Sequence, residues 1–499
     1  MIKLPGIFSG KSDHPLVDPK SARELFDQLN RSDPFEAINE VDSWLESTSG
    51  DEEIKPQRRA EVLFQLDDVG TVAARKLARE YLTLAGSGSS QSRNQRLWQA
   101  ARKFLRQLAA SYWVLLDRLE IDKKLRDEMR ATLPVIQMRL LRAYSGCLKW
   151  DKFRYGPLDT DLWSSAGRLY LEAEKNRWAE KKLALGDGTP TTIVAEYLRL
   201  LLFHAASMDN LQPLEIELAD QLLTYFLPAF SLTAQVRPEN VYWVDAAKPL
   251  PPTRLAKLPE VTQTLRFFAT TNARSAIESL CNEISRRQTV PKELVLNQQF
   301  PVATMIAVLQ HLDAFCAPKP PVRSQVRYQV KSRMWVVEGF QAAFSTLRGN
   351  RPKGGSWTVE DVSRGGMRAR AELADHEGLG IGSLVVMCPE GGDNWLIGIV
   401  RRIGHENQVM GNVGIETVGR VPGAVDIDCE GLRGEGLLLD SALDAGEITL
   451  LAVSPGVWQD SSPITFTLGG SRYRLRPYEE QQRSNDYVIG RYWVDILPA

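Results

Sequence analysis

The chain has 499 residues, 43% hydrophobic and 25% charged, the composition of a soluble globular protein and too long for one ordinary core. At about 100 to 200 residues per domain, some three units are expected. Lys+Arg 61 against Asp+Glu 62 leaves a net charge of -1, so no global field draws in a nucleic-acid polymer or a membrane, and any binding has to be local. Cys147, Cys281, Cys316, Cys388 and Cys429 are far apart and form no C-x-x-C, which argues against a disulfide framework or zinc site and fits a reducing cytoplasm.

Residues 1–20 are punctuated by Pro and Gly and read as poorly ordered or strapped over the surface. Residues 21–317 read as an all-α scaffold. In Asn94 to Leu119, Leu97, Ala101, Phe104, Leu108, Ser111 and Leu115 recur at three- and four-residue steps, with Arg96, Arg102, Lys103 and Arg106 on the other side. Leu125 to Leu148 repeats the pattern as one long helix. Trp163 to Ala173 resembles the first helix of a tetratricopeptide repeat, but no recurrence at that period follows. The longest apolar stretch, around Leu200–Phe203, is cut by Glu196, Arg199 and His204, so no membrane insertion is expected. Near 236–269 the period changes to β-branched and aromatic runs flanking Pro249-Leu-Pro-Pro252, a short β insert. Helices return at Asn272–Arg286 and Val302–Phe315.

Pro318, Pro320 and Pro321 close the scaffold, and 318–333 reads as a proline-rich linker carrying Arg323 and Arg327 at R-x-x-x-R. From Pro321 onward there are 17 Arg and 2 Lys, and Arg is the side chain suited to planar, bidentate recognition. Residues 334–420 break into six short strands divided by glycines, starting with one from Met334 to Phe344, which predicts a small antiparallel barrel without exposed edges. Residues 421–499 form a smaller C-terminal β unit, in which alternating apolar positions flank a Gly469-Gly470 turn. The fold class is therefore α+β multidomain.

Within the barrel, Asp361, Ser363 and Gly366 stand at D-x-S-x-x-G, where a strand from Ser356 breaks at Arg364-Gly365-Gly366. An acceptor-only carboxylate and a hydroxyl then face one point beside a backbone bend that glycine leaves open, which suits the N–H edge of a base. Arg323 and Arg327, four apart on the proline-stiffened linker, can reach the same ligand if that segment curls or turns helical.

R-x-x-x-R ahead of D-x-S-x-x-G resembles the PilZ family of bacterial cyclic di-GMP receptors, over roughly residues 323–418, about a fifth of the chain. The resemblance implies a PilZ-like barrel in which Arg323 and Arg327 grip phosphates and guanine faces while Asp361, Ser363 and Gly366 read a guanine edge. Arg333, Arg364 and Trp395 are further candidates, and Lys331 or Arg333 stands in if Arg323 or Arg327 does not reach. It also implies a cytoplasmic receptor for cyclic di-GMP with no cofactor, whose ligand reorients the helical scaffold toward a protein partner.

Plainer readings stand beside these. Asp361 and Ser363 can simply satisfy turn amides, the arginines can belong to a solvated linker, and Trp335, Trp357 and Trp395 can be barrel core. The barrel is then degenerate and the scaffold works alone. His14, His204, His311, His376 and His405 make no metal spacing, and no nucleophile elbow, zincin or Walker sequence is present, so neither a metal site nor catalysis is expected.

Overall fold

The computed structural model describes residues 14–87, 91–156, 159–185, 188–320, 325–350, 354–373, 376, 378–407, 409–459 and 461–498. Leu16 is already buried, two residues before the cap of the first helix. The helical region runs α1 (Pro19–Arg31), α2 (Pro34–Gly50), α3 (Pro56–Ser87), α4 (Gln91–Ile121), α5 (Lys123–Glu128), α6 (Leu133–Lys152), α7 (Asp161–Lys175), α8 (Ile193–Ala205) and α9 (Pro213–Phe226). Prolines sit in the first turns of α1, α2, α6 and α9, where their missing N–H costs nothing, and Asp18 and Asp33 accept the free amides that open α1 and α2. Pro134 also explains why the single helix expected over Leu125–Leu148 is two. α5 stops at Glu128 and α6 starts afresh at Leu133.

The β insert is a four-stranded sheet in the order β1-β4-β2-β3, from β1 (Ser231–Thr233), β2 (Asn240–Asp245), β3 (Thr253–Arg254) and β4 (Leu265–Ala269). It leads into α10 (Thr271–Arg287) and α11 (Val302–Cys316). Helix α7 packs on this sheet so closely that a Cβ added at Gly167 would lie 1.9 Å from the Ala246 carbonyl oxygen. Among the described residues, no helix is long and apolar enough to cross a membrane.

Two closed barrels follow. The first takes β5 (Tyr328–Glu338), β6 (Gly355–Ser363), β7 (Gly366–Glu372), β8 (Leu384–Pro389), β9 (Leu396–His405) and β10 (Met410–Gly419), with α12 (Phe340–Leu347) between β5 and β6. The second takes β11 (Gly423–Cys429), β12 (Leu432–Leu438), β13 (Ile448–Val453), β14 (Ile464–Leu468), β15 (Ser471–Arg483) and β16 (Val488–Leu497). Around β10-β7-β6-β5-β8-β9 and β11-β12-β13-β16-β15-β14 the connectivity is the same. In each, the first strand pairs with the second and fourth, the third with the sixth, and the fifth with the fourth and sixth. The smaller C-terminal unit is thus a second barrel of the same topology.

Two expectations are corrected. β5 begins at Tyr328, inside the expected linker, and ends where Gly339 turns at φ 86, so Phe340–Phe344 is helical rather than strand. Gly434 and Gly436 let β12 pass close to its neighbours. They lie under Val457 and Ile427, and the turn into β12 is Glu430-Gly431, both left-handed. The Gly469-Gly470 hairpin forms as expected, with both glycines at positive φ and Leu468 paired to Ser471.

The three parts are packed together. Met334, Trp357, Val359 and Met367 of the first barrel belong to one apolar cluster with the helical core, while Val337, Phe340 and Ile397 meet Leu437, Tyr487 and Ile489 of the second barrel in another. Polar pins add direction: the Tyr155 carbonyl accepts from the His405 amide at 3.0 Å, and Asp209 pairs with Arg402 at 2.6 Å. Tyr155 and Ser207, on the helical side of these pins, both sit at φ 53.

Since the atom facing Gly167 is backbone, relief requires moving α7 off the sheet. Gly167→Ala is expected to lower unfolding free energy by about 1 to 3 kcal/mol, measured by urea unfolding.

Candidate functional site

Counting back from the Ser363/Gly366 pairing, Val362 faces Met367 and Asp361 faces Arg368, with a bulge at Glu360. On the other side Gln329 of β5 lies opposite Asp361, which places Arg327, just before that strand, at the same end of the barrel. Linker and turn therefore converge. Arg327 Nη1 donates to Asp361 Oδ1 at 2.5 Å, and Arg368 Nε lies 3.2 Å from Oδ2 and 3.0 Å from Glu360 Oε2. The Asp361 side chain is 6% exposed, and that of Arg327 35%. A buried carboxylate thus carries one guanidinium on each oxygen, and both arginines reach solvent.

The turn is closely tied. Ser363 Oγ donates to the Gly366 carbonyl at 3.2 Å, the Thr417 amide to the Gly365 carbonyl at 3.0 Å, and Arg420 Nη2 to the Arg364 carbonyl at 2.6 Å. The Gln325 side chain lies over Gly365, about where a Cβ there would meet it at 3.1 Å. Gly366 has its own structural reason: a Cβ would stand 2.1 Å from the Ile415 carbonyl oxygen, across the β7/β10 pairing. The motif glycine closes the barrel whether or not a ligand lies beside it.

The other expected residues divide. Arg323 lies outside the described residues. Arg364 is exposed on the turn itself. Arg333 is exposed at the Thr358 register, next to Met334, whose partner Trp357 points inward, and it makes no ion pair with Asp361. Trp395 is half-buried against the cluster between the barrels and so serves packing there. Trp357 is core, 1% exposed, with its indole N–H donated to His376 Nε2 at 3.2 Å. Trp335 is exposed. Sequence reasoning missed Arg368 and Arg420. The first was open to anyone counting the hairpin register back from the turn, whereas the second arrives from a connector 56 residues beyond Arg364 and leaves no local signal. Among the described residues, no group of three or more His, Cys, Asp or Glu stands where it could hold a metal ion.

Fold and site together describe an α+β protein in which a helical domain precedes two six-stranded barrels, the first with an arginine-clamped carboxylate at one end. Residues 20–238, α1 to α9 and the start of the sheet, match the family model described as the N-terminal domain of the cyclic-di-GMP receptor FimW. No curated protein matches the chain.

Gly366→Ala is expected to cost about 1 to 3 kcal/mol of stability, because a backbone oxygen occupies the space, and Ser363→Ala about 1 kcal/mol for the turn hydrogen bond. Thermal melts of the two variants should separate them in that order.

Proposed function

We propose that the chain is a cyclic di-GMP receptor, a binding protein rather than an enzyme, whose PilZ-like first barrel takes the nucleotide at Arg323, Arg327, Asp361, Ser363 and Gly366. The observation that carries this reading is the Arg327–Asp361 contact, which joins the two halves of the motif across 34 positions of sequence. The match of the helical region to a cyclic-di-GMP receptor's N-terminal domain supports it independently.

The chemistry is an exchange. Arg327 and Arg368 neutralise Asp361. A guanine edge offers the carboxylate N–H donors in their place, and the ligand's phosphates offer Arg327 a new anion, so each group trades one charge-assisted bond for another. Arg327 lies at the end of the connector from the helical region, so moving it changes how that connector leaves the barrel. The helical scaffold, pinned to β9 through Asp209 and Arg402, is the part whose seating responds, and it presents the face for a protein partner in the cytoplasm.

Calorimetry with cyclic di-GMP tests this: saturable heat at submicromolar ligand is expected, and Arg327→Ala should weaken it by about 1.5 to 3 kcal/mol, roughly ten- to 150-fold. Absence of heat at high ligand concentration would favour the other reading, a scaffold whose barrel binds no nucleotide, for which the structural reasons found for Ser363 and Gly366 suffice.

A further inference from the structure

The shared connectivity of the two barrels puts Arg420 in an unexpected light. In the first barrel the leader arginine, Arg327, precedes the first strand and meets the end of the second strand at Asp361. In the second, the segment ahead of β11 occupies the same station: Val421 bridges Asp440 just past β12, and its carbonyl accepts from the Ser441 amide at 2.8 Å. Arg420 is thus the leader arginine of the second barrel. Its guanidinium does not turn to its own barrel but reaches back to the Arg364 carbonyl, inside the D-x-S-x-x-G turn of the first.

Beside Arg364 on the turn itself, three guanidinium groups therefore come to it from other segments, and they differ in what holds them. Arg327 and Arg368 are bonded to carboxylates and must leave them to take another anion. Arg420 is exposed, and among the described residues its hydrogen bond goes to a neutral carbonyl, so of these three it has the most to gain from a phosphate, since charge-assisted bonds are about twice as strong as neutral ones.

We propose that the nucleotide site is composite: Arg420 binds a phosphate of the ligand, so that occupancy of the first barrel is read directly by the second. This rests on the cyclic di-GMP reading above. Because Val421 is locked to Asp440 and Ser441, a shift of Arg420 onto the ligand pulls on the loop between β12 and β13. A second link runs along the same rim, from Glu416 at the Gly366 register through Arg401 to Gln482 of β15.

The test uses the full chain with cyclic di-GMP, as wild type, Arg327→Ala, Arg420→Gln and Arg433→Gln, the last an exposed arginine on β12. Calorimetry is read beside hydrogen exchange of residues 421–441, and thermal melts confirm that each variant is folded. Expected are ligand-dependent protection of 421–441 in wild type, at least tenfold weaker binding and loss of that protection in Arg420→Gln, and wild-type behaviour in Arg433→Gln. If wild type binds and Arg327→Ala weakens it while Arg420→Gln binds normally, the composite site is wrong and the receptor reading stands. Wild-type binding without a change over 421–441 removes the coupling to the second barrel. If wild type does not bind at all, both readings fall.

Discussion

The ion pair between Arg327 and Asp361 is the contact on which the rest of the site depends. A carboxylate sunk to 6% exposure in a barrel wall is costly unless its charge is met, and here Arg327 and Arg368 meet it from two directions. Both arginines are partly solvated, so the pairing is worth far less than a fully buried one, but removing either leaves an under-compensated anion. This balance is what the proposed exchange requires, with the groups held in place yet open to solvent. The same contact ties the end of the connector to β6, so β5 starts six residues earlier than the linker's composition suggested.

Much of the architecture was legible because the signals were local. The helical period of α4 and the Gly-Gly hairpin of β14 and β15 needed only short-range pattern and turn chemistry. Misreadings came where a short run fits two structures. Phe340–Leu347 is apolar enough to continue a strand and becomes a helix because Gly339 turns the chain and Asp486, from the second barrel, accepts the Phe340 amide at 3.0 Å. Tyr328–Arg333 is too polar and exposed to announce itself as strand, and only its pairing with β6 makes it one. At the site, D-x-S-x-x-G was visible as a motif, and its union with Arg327 became visible once the barrel closed. Arg420 could not be found from sequence, because its approach to Arg364 depends on how one barrel hands the chain to the next.

Two barrels of one connectivity, packed through Val337, Phe340, Leu437 and Tyr487, place the motif turn beside the start of the second barrel. The helical region reaches the first barrel elsewhere, at β9, through Tyr155 and Asp209. The first barrel is therefore touched by both other parts, and the second barrel also meets the helices directly, where Asn485 donates to the Ala85 carbonyl at 3.0 Å. In the proposed receptor, a change at the first barrel's Arg327 end would have one route outward along the connector to the helices and another through Arg420 to the second barrel. The family match falls on the helical region and the proposed nucleotide chemistry on the barrel, so the two lines of support come from separate parts of the chain.

A double-mutant cycle on cyclic di-GMP affinity with Arg327→Gln, Asp361→Asn and the pair tests most directly whether linker and turn are halves of one site. If they are, the double variant binds little worse than the weaker single one, with a coupling of about 1 kcal/mol or more. Losses that add to within about 0.5 kcal/mol would mean that the two residues act apart, and would contradict the shared site.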